Sequence, residues 1–246
     1  MTDLVSVWLI RTSQPDSVVS ALANLLDAAE QSRAGQIAEA ADRAEFVVSH
    51  GAVRTILGRQ LGVPAIVPGW RLGPHGKPEL AFPHSDLYCN LSHSGGLAVF
   101  ALCAGRPVGV DVQCRQFGAD LGQLAARYYP ADEARFVAAA RSDRQRAVRF
   151  TGLWSRKEAC VKVGGGRLIP GLGWPARGMD PALGAVPVTG PDGRYLVRDL
   201  IGPAGFHLAV ALAGDAPFRV RRTDWSAAEY LPGLYQSTDS MAVDRC

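Results

Sequence analysis

Cysteine is scarce and badly spaced in this 246-residue chain: Cys89, Cys103, Cys114, Cys160 and Cys246 make an odd number, and no C-x-x-C pair occurs. That argues against a zinc ribbon and against a disulfide framework, while scattered thiols suit a reducing cytoplasm. No apolar run is long enough to span a membrane. The opening MTDLVSVWLIRT lacks the basic start and apolar length of a signal peptide, so a cytoplasmic protein without a membrane partner is expected. No GxxxxGK[ST] loop and no GxSxG elbow are found, so the phosphate loop and the hydrolase nucleophile have no candidate. Neither sign of charge dominates: 26 Lys and Arg against 23 Asp and Glu leave a net charge of +3. That is too small to imply nucleic-acid binding, and it would not repel an acidic partner.

What is present is an ordinary globular composition, 48% apolar and 20% charged, long enough for one large domain or two small ones. Val5, Val7 and Leu9 alternate as in a strand. Residues 16–31 read as one helix and 41–61 as a second, with Phe46, His50, Val53, Leu57 and Leu61 at helical spacing and Gly62 and Pro64 ending it. A turn-rich segment, PGWRLGPHGKPELAFPHS, precedes LYCNLSHSGGLAVFALCAGRPVGVDVQ, which reads as paired strands around turns. Residues 117–150 look helical with a break near Pro130, and 150–163 form a further helix. Residues 170–193 are rich in Gly and Pro and read as loop, strands resume at RYLVRDL and FHLAVALAG, and disorder is expected at the end of the tail from residue 231. LAVFALCAG (97–105) echoes LAVALAG (208–214), each downstream of a long helix. The echo fits two related halves, each a helix plus a small antiparallel sheet, or chance in a chain rich in Leu, Ala and Val.

Four stretches contain groups able to do chemistry. Asp111 interrupts the valines of GVDVQ. Aspartate is depleted in strands and costly to bury unpaired, so it is either a strand-end residue bonded to a turn or an oxygen ligand for a hard cation. In LWSRKEACVKVGGGRL, Trp154, Glu158 and Lys162 share one helical stripe. They form either a surface ion pair worth about 0.3–0.5 kcal/mol or one wall of a site. Lys157 and the run Gly164, Gly165, Gly166 favour the second reading, since a helix end needs only one glycine. NLSHSGG surrounds His93 with hydroxyls that either satisfy their own turn or meet phosphate. Lys77 in HGKPEL, with Arg71 before it, is either solvated surface or a point-charge phosphate contact. Two separated carboxylates, several cations and no nucleophile signature suit magnesium-assisted chemistry on a phosphate or pyrophosphate.

GVDV at 109–112 and WSRKEACVK at 154–162, with NLSHSG and GKP upstream, resemble the signature of the 4′-phosphopantetheinyl transferases, in particular the large, two-half, surfactin-type class. The resemblance runs from the first strand to about residue 222. It implies an α+β fold of two similar halves on a pseudo-twofold axis, each a long helix packed on a small antiparallel sheet. The halves would be residues 1–109 and 110–222, with 223–246 as an extension. It also implies a magnesium-dependent transferase, with manganese as an alternative metal. Such an enzyme moves the phosphopantetheine arm of coenzyme A to a serine of an apo acyl or peptidyl carrier protein and releases adenosine 3′,5′-bisphosphate. A monomer is the family expectation.

By the same resemblance, Asp111 and Glu158 are the metal ligands, Glu158 is also the general base, and Lys162 contacts the coenzyme's phosphates. Asn90, Leu91, Ser92 and His93 belong to the turn that holds coenzyme A; Arg71, Gly76 and Lys77 surround the G-K-P element; Arg33 in QSRAGQ is a further phosphate contact. Two positions depart from the common pattern. Gln113 stands where many members have a second acid, so it offers a metal an amide oxygen without charge. Glu45, in DRAEF, replaces a frequent arginine. Arg115, Arg127, Arg135, Arg141, Arg144, Arg146 and Arg149 give segment 115–149 a basic face, either for docking an acidic carrier or simply solvated. Fatty-acid, polyketide and nonribosomal-peptide carriers all remain open. The rival readings are a non-catalytic coenzyme A binding module and a phosphotransferase acting on another small pyrophosphate.

Overall fold

The computed structural model describes residues 2–81, 83–84, 86–115, 120–166 and 168–236. The disorder expected at the end of the tail falls on residues 237–246, outside the described residues. The chain divides into two compact units. One comprises Met1–Val7, Trp70–Gly95 and Val99–Arg222, the other Trp8–Gly69, Gly96–Ala98 and Thr223–Cys246. In chain order the elements are β1 (Asp3–Arg11), α1 (Asp16–Ala23), α2 (Ala28–Gln36), α3 (Ala40–Leu61), β2 (Trp70–Leu72), β3 (Pro78–Leu80), β4 (Leu87–Ser94), β5 (Leu97–Ala104) and β6 (Val108–Cys114). They continue as α4 (Leu121–Tyr128), α5 (Ala131–Ala138), α6 (Asp143–Gly164), α7 (Leu168–Gly171), β7 (Val186–Gly190), β8 (Gly193–Leu200), β9 (Phe206–Ala213), β10 (Phe218–Asp224), α8 (Ala227–Tyr230) and α9 (Gly233–Gln236). This is the mixed α+β class that the sequence suggests.

The second unit is built on α3. Its middle is buried on nearly every side, from Phe46 to Gly58 with only His50 partly exposed. Buried Arg54 is held by the carboxylates of Glu30 and Asp27 and by the Pro68 carbonyl. Asp27 and Glu30 also form the capping box that starts α2. That cap breaks the single helix expected over 16–31: the chain turns between Ala23 and Ala28 so that Asp27 can receive the Glu30 amide. The segment after β10 returns to α3, where the Trp225 indole donates to Thr55 Oγ1 at 3.0 Å.

Strands β10-β1-β5-β4 form one four-stranded sheet; in the first unit β6-β9-β8-β7 form another, with β2–β3 a short hairpin. The second sheet is antiparallel, and its β6–β9 register sets Asp111 opposite Ala209. The loop expected over 170–193 contains β7, where Val186 and Val188 are buried against α6 and the neighbouring strands. Helix α6 begins earlier than the expected residue 150, because the Ser142 hydroxyl accepts the Gln145 amide as an N-cap. It ends at Gly165, whose φ of 71° is the left-handed conformation that suits glycine. No helix among the described residues is long and apolar enough to cross a membrane.

Both faces of α6 are covered. Ala159, Cys160 and Val163 pack on Val186, Val188, Tyr195, Val197, Ala209 and Ala211 of the sheet. Ala147, Phe150 and Leu153 pack with Leu121 and Ala125 of α4, Val137 of α5, Tyr129 and Leu172. A buried ion pair fixes the helix between these layers. Lys157 Nζ and Glu133 Oε2 are 2.6 Å apart, and both side chains are fully buried. Lys157 also donates to the Trp174 carbonyl, and Glu133 accepts the Ala176 amide at 2.6 Å. Lys157, the motif lysine next to Glu158, therefore faces away from solvent and ties α6 to α5 and the following loop. Removing one member leaves a charge buried without its partner, so Glu133→Ala should lower the unfolding free energy by about 3–5 kcal/mol in urea denaturation. A loss under about 1 kcal/mol would contradict this role.

Candidate active site

The site grows out of the contact between β6 and α6. Gly109, the first residue of GVDV, lies against the helix backbone: a Cβ there would sit 2.1 Å from the Ala159 carbonyl oxygen and 2.7 Å from the Val163 nitrogen. The absence of a side chain lets α6 lie directly on β6, and Asp111, two residues on, then comes within reach of the helix. Val110 and Val112 point into the core as Asp111 points to the opposite side of the strand.

Lys162 closes the arrangement. Its ammonium donates to Asp111 Oδ1 at 2.8 Å and to Ser92 Oγ at 2.9 Å, and lies 3.1 Å from Glu158 Oε1. Ser92 donates to the same Asp111 Oδ1 at 3.0 Å and accepts the Val112 amide at 3.3 Å. The other oxygen of Glu158, Oε2, accepts the Trp154 indole at 2.6 Å and the Gln113 amide at 3.3 Å. Three elements, β4, β6 and α6, thus meet at two carboxylates and one lysine. Asp111 is fully buried, whereas Glu158 and Lys162 keep 17% and 25% of their side chains exposed, so the cluster opens to solvent on the helix side.

Electrostatics hold this cluster together. Burial raises the Asp111 carboxyl above its ordinary range, and the Lys162 ammonium acts against that rise. Burial pulls Lys162 down, but Asp111 and Glu158 outweigh it and the net shift is upward. The lysine's charge thus offsets part of the cost of burying Asp111, and the two acids hold the ammonium in its charged form. Asp111 Oδ2, a buried oxygen, has no hydrogen-bond partner among the described residues. An orphaned carboxylate oxygen is costly. Beside a second carboxylate it fits a hard divalent cation, whose preferred donors are oxygens. Among the described residues no group of three or more His, Cys, Asp and Glu forms a metal cluster. The oxygen donors are Asp111 and Glu158, with the Gln113 amide as a neutral third.

The remaining expected residues fall in different places. Asn90, Leu91, Ser92 and His93 lie in strand β4 rather than in a turn, which comes only at Gly95 and Gly96. Their alternation places Asn90, Ser92 and Ser94 on one side of the strand, facing β6, and His93 on the exposed other side. Gly76 ends the turn of the β2–β3 hairpin with φ 80°. Arg71 in β2 is exposed and pairs with Glu79 at 2.6 Å. Arg33 belongs to the other unit, in α2, with its guanidinium 5.5 Å from the centre of the Phe46 ring. Lys77 is the largest departure from expectation. Its ammonium is bound to two backbone carbonyls, Val108 at 2.9 Å and Val163 at 2.8 Å, joining the start of β6 to the end of α6. Of the three glycines after Lys162, only Gly165 has a structural requirement; a Cβ on Gly164 or Gly166 would meet nothing closer than 3.7 Å. The indole clamp of Trp154 on Glu158 was legible as i, i+4 spacing, whereas the roles of Lys77 and Ser92 depend on contacts across the fold.

Asp111, Glu158 and Lys162 lie in a part of the chain that known proteins share. A family profile described as the 4′-phosphopantetheinyl transferase superfamily matches residues 107–204, the span from β6 to the loop before β9. The 4′-phosphopantetheinyl transferase HetI of Nostoc sp. (strain PCC 7120 / SAG 25.82 / UTEX 2576) is 34% identical over 167 residues, which cover 67% of this chain and 70% of HetI. A putative 4′-phosphopantetheinyl transferase, slr0495 of Synechocystis sp. (strain ATCC 27184 / PCC 6803 / Kazusa), is 28% identical, covering 68% of this chain and 67% of the relative. AcpT of Escherichia coli (strain K12), also a 4′-phosphopantetheinyl transferase, is 36% identical over 94 residues, 38% of this chain and 47% of AcpT. The chain belongs to the 4′-phosphopantetheinyl transferase superfamily and is a transferase.

The setting of Lys77 has a consequence for stability. Burial, the largest cause, lowers its pKa from 10.5 to about 8. Between about pH 8 and 10.5 the unfolded chain therefore binds more protons at this position than the folded one, and the contribution of Lys77 to stability rises with pH across that window. Lys77→Met leaves two carbonyls without their donor and should cost about 1–3 kcal/mol. In urea denaturation the gap between parent and variant should widen from pH 7.5 to 9.5; a constant gap would contradict the buried setting.

Proposed function

We propose that this transferase moves the 4′-phosphopantetheine arm of coenzyme A onto a serine hydroxyl of an apo acyl or peptidyl carrier protein, with magnesium, releasing adenosine 3′,5′-bisphosphate. The observation that carries the reading is the meeting of Asp111 and Glu158, 47 positions apart in the chain, on one lysine, with Asp111 Oδ2 buried and unpartnered. The relatives' names point to the same transfer.

Asp111, through Oδ2, and Glu158 would hold the metal, with Gln113 and water completing the shell. When bound, magnesium would neutralise charge on the pyrophosphate oxygens and withdraw electrons from the phosphorus under attack. Glu158 takes the serine proton as the serine oxygen–phosphorus bond forms, directly or through a water. The bond from that phosphorus to the leaving phosphate oxygen breaks, and Lys162 stabilises the charge that develops there. Trp154 and Lys162 hold Glu158 in one orientation before substrate arrives, which lowers the reorganisation needed in the reaction. The neutral Gln113 supplies less charge than a carboxylate would, so metal affinity rests chiefly on the two acids.

An acidic carrier would meet the basic face around α5 and α6. Arg135, Arg141 and Arg144 are exposed there, and Arg149 and Arg177 each stack 4.4 Å from the centre of the Phe136 ring. The two-half organisation belongs to the same proposal. It is supported by α3 and α6, each 22 residues long, and by the echo between β5 and β9.

Mass spectrometry of a panel of apo carriers incubated with coenzyme A and magnesium tests the reading. The chain should add one phosphopantetheine to at least one carrier, and added salt should slow the reaction chiefly through association. Glu158→Gln should lose about 10²- to 10⁴-fold in turnover. Failure to modify any fatty-acid, polyketide or peptide carrier, or near-normal turnover of Glu158→Gln, would overturn it.

A further inference from the structure

We infer that Asn90 and Ser94 are positioning residues: with Ser92 they clamp the free edge of β6 and so fix where Asp111 stands. Among the described residues β6 is the edge strand of its sheet, paired with β9 on one side only. In an antiparallel strand alternate amides point to opposite edges. On the edge away from β9, the amides of Val110, Val112 and Cys114 meet side chains of β4 instead of a backbone. Asn90 Oδ1 accepts Val110 N–H at 2.9 Å, Ser92 Oγ accepts Val112 N–H at 3.3 Å, and Ser94 Oγ accepts Cys114 N–H at 3.1 Å. The three acceptors are alternate residues of one strand, and each meets an amide 20 positions further along the chain. The pattern is therefore a strand-to-strand ladder made by side chains.

Two features link the ladder to the site. Asp111 lies between two clamped amides, those of Val110 and Val112. Ser92, the middle rung, also donates to Asp111 and accepts from Lys162. Ser92 alone, however, leaves β6 free to pivot about one point. The outer rungs, Asn90 and Ser94, remove that freedom while touching neither carboxylate nor Lys162 among the described contacts. This assigns Asn90, Ser92 and Ser94 of NLSHS to the strand that carries Asp111 rather than to bound coenzyme A, and it rests on the transfer proposed above.

Asn90→Ala, Ser94→Ala and the acceptor-retaining Asn90→Asp separate the possibilities. Amide exchange by NMR should accelerate by about tenfold or more at Val110 in Asn90→Ala and at Cys114 in Ser94→Ala, each sparing the other rung. In the transfer assay both alanine variants should lower kcat and raise the magnesium concentration for half-activity, with KM for coenzyme A changed less than about twofold. Asn90→Asp should restore both readouts toward the parent. Unchanged exchange at Val110 and Cys114 would overturn the ladder, and an increase confined to KM for coenzyme A would make Asn90 a substrate contact instead. If the parent modifies no carrier, the transfer reading fails while the exchange measurement still decides the ladder.

Discussion

One lysine ammonium organises the chemistry of this protein. Lys162 lies 2.8 Å from Asp111 and 3.1 Å from Glu158, and without it two carboxylates would face each other across a half-dry pocket. An unpaired buried carboxylate is too costly to persist in charged form. The lysine makes the pair tolerable by placing an opposite charge against both acids. The same geometry leaves Asp111 Oδ2 without a partner. A site neutralised on one side and open on the other suits the cation and the anionic substrate proposed above.

The rest of the first unit holds that triangle in place. Gly109 lets helix α6 touch β6, Lys77 ties the start of the strand to the end of the helix, and the Lys157–Glu133 pair fixes the far side of α6. None of these groups contacts the carboxylates, yet each constrains the rotation or the axial position of an element that carries one. Positioning of this kind matters because errors of a fraction of an ångström at reacting groups lower rates steeply. The motif residues of this chain are thus of two sorts: those that face the cluster and those that set the helix and strand against each other.

Part of the cluster's geometry was legible in the sequence. Trp154, Glu158 and Lys162 share a helical stripe, whereas the aspartate among valines could be read either as a strand-end residue bonded to a turn or as a cation ligand. The long helices and most strands also follow from periodicity. Other features were hidden for physical reasons. The break at Asn24–Asp27 depends on a cap that also serves Arg54, 27 positions away. Strand β10 was not foreseen because arginines 219, 221 and 222 crowd its alternation. β7 is a short strand within a Gly- and Pro-rich stretch, and its burial comes from the sheet it joins. Lys77 sits in a Gly-Pro turn that reads as solvent-facing, and only the fold brings two carbonyls to its ammonium. Local patterns reveal elements and stripes; partners distant in the chain do not show until the strands are paired.

The central claim is that Asp111 and Glu158 share one divalent ion. Crystals grown with coenzyme A and saturating manganese test it directly through anomalous scattering. The account predicts a single strong peak bonded to Asp111 Oδ2 and to a Glu158 oxygen. No peak between these carboxylates, or an ion held elsewhere in the first unit, would contradict it.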